Sequence, residues 1–85
     1  MYIIINKNQI INRESLIESL TNLGYTRESL VTATGEFAVR GFLIDIFPVH
    51  SEHPIRVEFF GNEVDSLRTF DETSQLSIGE INNIT

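Results

Sequence analysis

The chain has 85 residues, 41% hydrophobic and 21% charged, with no cysteine and a formal net charge of −6. A chain this short buries only roughly 60% of the surface its unfolded form exposes, which allows one domain with one core and excludes a deep active-site cleft. Without cysteine there is no disulfide framework and no thiolate metal site, as fits a reducing cytoplasm. Six cations against twelve anions, with Lys7 the one lysine, argue against DNA as the primary ligand, because nucleic-acid affinity comes largely from Lys and Arg neutralising phosphates.

No apolar run approaches the roughly 20 residues of a membrane span. Residues 1–5 have neither the basic region nor the cleavage site of a signal peptide. Residues 2–5 are β-branched and read as a strand, and its position near residue 1 is what a segment of a longer protein would show. Residues 6–9 form a turn. Residues 13–23 are the clearest helix: Leu16, Ile17, Leu20 and Leu23 recur at helical spacing. Asn12 is placed to cap its free N–H groups, Glu14 suits the positive end of its dipole, and Gly24 ends it in a left-handed conformation.

The rest reads as strand. Residues 30–34 are one candidate, followed by a tight turn at Gly35. Residues 36–47 form the longest β run. Phe37 and Val39 set one apolar phase, and Phe42, Ile44 and Ile46 set the other. The phase flip at Gly41 predicts a bulge or a bend. Pro48 stops the strand and residues 49–53 are a polar loop. Ile55, Val57 and Phe59 alternate with Arg56, Glu58 and Phe60, as in a half-buried strand. Gly61-Asn62 then predicts a two-residue hairpin turn. Residues 64–70 return antiparallel, and a weaker strand lies between residues 75 and 84. The fold class is therefore α+β: a mostly antiparallel sheet in the order β-α-β-β-β-β, one helix packed on one face. The other face, or an edge, is left for a partner.

Catalytic signatures are missing. There is no Gly-rich phosphate loop with a lysine and no nucleophile elbow around any serine. His50 and His53 flank Glu52 in a polar loop, a set too small for a metal centre, so no cofactor and no metal is expected. Asp45 interrupts an apolar strand. Glu58 and Asp65 would face each other across the Gly61-Asn62 hairpin, with Arg56 and Arg68 near enough to bridge them. These carboxylates read as structural ion pairs.

Two extended blocks carry a resemblance. One is Gly35-Glu36-Phe37-Ala38-Val39-Arg40-Gly41 followed by Ile44-Asp45-Ile46-Phe47-Pro48. The other is Pro54-Ile55-Arg56-Val57-Glu58-Phe59-Phe60-Gly61-Asn62-Glu63. With Gly24-Tyr25-Thr26-Arg27 upstream, they resemble the UvrA-interaction domain, the second domain of the excision-repair protein UvrB and its counterpart in transcription-repair coupling factors. The likeness runs from about residue 11 to 80. Asp65-Ser66-Leu67-Arg68-Thr69-Phe70-Asp71 and Gln75-Leu76-Ser77 look like the coupling-factor branch. Phe42, where UvrB has an acid, and Ala38, where UvrB has a further arginine, point the same way.

The resemblance implies a non-catalytic module that recruits UvrA, whose matching surface is acidic, within a longer ATP-dependent translocase. It also implies a resting state in which another domain of the same protein masks this surface. Arg27 and Arg40 match the family's UvrA-contacting arginines. A guanidinium is suited to such a role because its planar fork pairs a carboxylate in bidentate fashion. Alternatively, each arginine makes only a local salt bridge: Arg27 with Glu28, Arg40 with Glu36 or with a carboxylate on the next strand. Phe42 is an aromatic anchor beside Arg40 if the strand keeps register, and core if Gly41 is a bulge. Arg56 either extends the patch or pairs with Glu58 or Asp65. Loss of the arginine at Ala38 implies a differently distributed set of contacts.

Overall fold

The computed structural model describes residues 3–84. One helix, α1 (Arg13–Asn22), packs against a six-stranded sheet. Asn12 caps the helix as expected: its Oδ1 accepts from the Ser15 N–H at 3.1 Å, satisfying one of the first-turn donors that have no partner inside a helix. Leu23 closes the last turn, and Gly24 follows at φ 91°, a left-handed conformation costly to any residue with a Cβ. Leu16 and Leu20 are buried by the sheet.

The sheet comprises β2 (Thr26–Arg27), β3 (Glu36–Arg40), β4 (Leu43–Ile46), β5 (Ile55–Phe60), β6 (Glu63–Phe70) and β7 (Ser77–Ile81), in that spatial order. All pairings are antiparallel except the short parallel one between β2 and β3. The expected α+β class holds. Two further segments, β1 (Ile5–Asn6) and β8 (Asn83–Ile84), pair antiparallel in a ladder of their own. Asn8 and Ile11 donate backbone hydrogen bonds to Val64 and Asn62, so the segment before the helix lies along the β5–β6 hairpin.

Three local expectations change. The run 36–47 is not one bent strand but a second hairpin, β3 to β4, turning at Gly41 (φ 58°) and Phe42. Residues 30–34 are not a strand. The Thr32 and Ala33 N–H groups donate to Glu36 Oε1 at 2.9 and 3.1 Å, so a side chain takes the place of a neighbouring strand. The parallel strand is instead Thr26–Arg27. Residue 2, which opened the expected first strand, lies outside the described residues; that strand is observed only at Ile5–Asn6.

Period-two alternation sorts the sheet into two faces. Phe37, Ile44, Ile46, Ile55, Val57, Phe59, Val64 and Leu67 point toward α1 and form the main core with Ile5, Leu16 and Leu20. Each such side chain, fully buried, contributes about 1.5–3 kcal/mol. On the opposite face, Val31, Ala38 and Phe47 form a small second cluster.

Candidate functional site

The face away from the helix carries the candidate site, and strand register builds it. Ala38 pairs with Asp45, Asp45 with Arg56, Arg56 with Arg68, and Arg68 with Glu80. Directly opposed residues share a face, so this is one row across five strands. A second row runs Arg40–Leu43–Glu58–Ser66. Ala38 ends the first row with a methyl group, and it is buried.

Asp45 is 1% exposed, the one charged residue in the core among the described residues. A buried carboxylate needs full pairing, and Asp45 has it. Arg56 binds it bidentately, Nε to Oδ1 at 2.8 Å and Nη2 to Oδ2 at 2.9 Å. Arg40 adds Nη2 to Oδ2 at 3.2 Å. The Arg56 guanidinium lies over the Phe70 ring, 4.4 Å from its centroid, within cation–π range. The same guanidinium donates to Gln75 Oε1 at 3.4 Å. Gln75 is itself held by donating to the Glu72 and Val31 carbonyls at 2.8 and 3.4 Å. Hydrogen bonding to Asp45 raises the proton affinity of Arg56 against the opposing effect of burial.

Two guanidiniums share one carboxylate, so the group keeps a net positive charge. Exposure is uneven: the Arg56 side chain is 18% exposed and that of Arg40 44%. Arg40 uses one terminal nitrogen on Asp45 and keeps its other donors at the surface. Further along the row, Arg68 sits 3.8 Å from Glu80, an exposed contact of the kind that contributes roughly 0–1 kcal/mol.

The other expected residues lie elsewhere. Phe42 is not core: the β3–β4 turn lifts it out to 65% exposure. The Arg13 guanidinium stands 5.6 Å from its ring centroid, so the cation beside Phe42 is Arg13 of the helix, a neighbour not visible in sequence spacing. Arg27 is exposed on the edge strand β2 and pairs in register with Phe37. Phe37 faces α1, so Arg27 leaves the sheet on the side opposite Arg40. Among the described residues, its side chain makes no hydrogen bond or ion pair. The sheet thus brings Arg40 together with Arg56, not with Arg27.

The expected Glu58–Asp65 opposition does not form. The register shifts after Glu58, which faces Ser66 and accepts its hydroxyl hydrogen bond at 3.2 Å. Nor does Arg40 meet Glu36, whose carboxylate is occupied by Thr32 and Ala33. His53 lies 4.0 Å from Glu72, and among the described residues no cluster of metal-ligating side chains forms. A separate open cleft of about 460 Å³ lies between Ile3, Leu20, Tyr25, Pro48 and Val49. Its walls are mostly apolar, with Tyr25, His50 and Ser51 as their polar residues.

Comparison with known proteins places the chain among relatives. The chain is 45% identical over 74 residues to the transcription-repair-coupling factor of Bacillus subtilis, which covers 87% of this chain and 6% of that protein. It is 42% identical over 82 residues to the coupling factor of Escherichia coli, covering 96% and 7%. A Staphylococcus aureus coupling factor is 46% identical over 74 residues. The chain therefore spans less than a tenth of the length of these relatives, and the coupling-factor branch expected from Phe42 and Ala38 is the one they represent. The family model described as the UvrB interaction domain matches residues 3–85, and the chain belongs to that family.

Proposed function

We propose that this domain recruits UvrA through the outer face of its sheet, with Arg40 as the central contact. The observation that carries the reading is the half-exposed Arg40 guanidinium, fixed at one nitrogen and open at the others, in an Arg40–Asp45–Arg56 group that keeps one net positive charge. The chain as a whole carries a net charge of −6, so this local positive group is where an acidic partner would meet attraction in place of repulsion. Phe42 serves as an aromatic anchor at the turn beside it, backed by Arg13. Arg27, on the other side of the edge strands, contributes at the rim, where charges change association rates more than residence times. The module needs no cofactor and performs no reaction itself. In a full-length cytoplasmic coupling factor, an ATP-dependent DNA translocase, it would deliver UvrA to a stalled transcription complex. A second domain of that protein, masking the same face, would control access.

The test is titration of the 85-residue chain against UvrA by calorimetry or surface plasmon resonance. Arg40→Ala should weaken binding by at least 30-fold, as truncation of a central interface arginine typically costs about 2 kcal/mol or more. Arg27→Ala should weaken it less. Circular dichroism should remain that of the wild type for both. Equal affinity for wild type and Arg40→Ala would remove Arg40 from the interface. Binding of duplex DNA in preference to UvrA would overturn the reading altogether.

A further inference from the structure

Asp45 presents a problem that recruitment by surface arginines does not answer. Burying a carboxylate is costly even when it is paired, and this one contacts solvent too little to meet a partner itself. One arginine would suffice to neutralise it. Instead it holds two, in different ways. Arg56 takes both oxygens and is locked from behind by Phe70 and Gln75. Arg40 receives only the remaining capacity of Oδ2, at the longer distance of 3.2 Å.

We infer that Asp45 is a positioning residue: clamped by Arg56, it holds the Arg40 guanidinium in a fixed orientation that leaves the remaining donors of Arg40 aimed outward at a carboxylate of the partner. This rests on the reading of Arg40 as a contact. An unrestrained arginine loses rotamer freedom when it is captured at an interface, which weakens binding. Tethering one nitrogen in the free domain removes part of that cost beforehand. The sharing also keeps Arg40 from being neutralised. Had Asp45 been paired bidentately with Arg40 and not with Arg56, the recognition fork would be occupied. Ala38 completes the arrangement by placing a methyl group, not a competing polar group, directly opposite Asp45.

The arrangement is tested first without any partner. Nitrogen-15 NMR of the arginine guanidiniums in the free domain should show rotation about the Arg40 Nε–Cζ bond slowed at least several-fold relative to Arg27, which has no side-chain partner among the described residues and serves as the internal reference. Arg40 rotating as fast as Arg27 would overturn the inference, and this measurement requires no variant to fold. In Asp45→Asn, folded by circular dichroism, Arg40 should rotate freely. UvrA should then dissociate roughly tenfold faster, while association is unchanged or faster because a negative charge has gone. Adding Arg40→Ala to Asp45→Asn should cost much less than Arg40→Ala alone. Additive losses, or a dissociation rate unchanged by Asp45→Asn, would show that Asp45 is only a structural ion. If wild type fails to bind UvrA while Arg40 is restrained, the choice of partner is wrong and the positioning stands.

Discussion

The two faces of this sheet are built from the same strands by opposite chemistry. The face toward α1 is dominated by a layer of buried Phe, Ile, Leu and Val. The outer face buries a carboxylate and surrounds it with guanidiniums, an aromatic ring and a glutamine. Apolar burial is non-directional, so the inner face stabilises the fold without specifying what it meets. Charge-assisted hydrogen bonds fix angles as well as distances, so the outer face contributes orientation, and its net stability is small because desolvation offsets pairing. The difference separates what keeps this domain folded from what it presents.

That division can be broken from either side. The largest effect should come from the inner face. Phe37→Ala removes a ring that is 1% exposed and should cost about 3–5 kcal/mol, read as a lower urea midpoint. In a domain of this size that is a large part of the total stability. The outer face should respond differently. Replacing the charged group as a unit, with Arg40→Met, Asp45→Leu and Arg56→Met together, should leave stability unchanged or raise it by about 1–4 kcal/mol, because no unpaired charge remains. UvrA binding should disappear in the same variant. A large loss of stability there would mean that the polar face is a second structural core, and the comparison would fail.

A smaller effect concerns Glu36, where the edge loop joins the sheet. Backbone hydrogen bonds from Thr32 and then Ala33 hold its carboxyl below the ordinary value of 4.5. The folded state therefore binds this proton less readily than the unfolded chain does. The resulting stability is complete above the unfolded pKa and is lost as pH falls through the lowered folded value. Urea midpoints measured from neutral pH down into the acid range should fall less steeply for Glu36→Gln than for wild type. An identical slope would show that the Thr32 and Ala33 contacts do not persist in solution.

Much of the scaffold is legible in the sequence, and what is not has definite causes. Asn12, Gly24 and Gly61 act locally, through hydrogen bonds and backbone angles set within a few residues, so the helix cap, its end and the β5–β6 turn can be read directly. The β3–β4 hairpin is less legible because Gly41-Phe42 lacks a typical second turn residue: a large aromatic resembles core until its strand register is known. The Asp45–Arg56 pair spans 11 positions and depends on which strands are neighbours. Sequence proximity instead favoured Glu58 and Asp65 as partners, and the register shift after Glu58 removes that option. Arg13 beside Phe42 depends on how the helix sits over the hairpins. One signal did precede the structure: a lone acid inside the apolar run of β4 has to be paired by a cation on an adjacent strand.

The most direct test is to map the bound surface on the whole chain. Transverse-relaxation-optimised NMR of the labelled domain, titrated with unlabelled UvrA, should show the strongest perturbation at Arg40, Leu43, Arg56 and Arg68 on the outer face, with Phe42 at its margin. Leu16, Leu20 and the cleft beside Pro48 should be left nearly unchanged. Perturbation concentrated on α1 or on that cleft, with the outer face silent, would contradict the account.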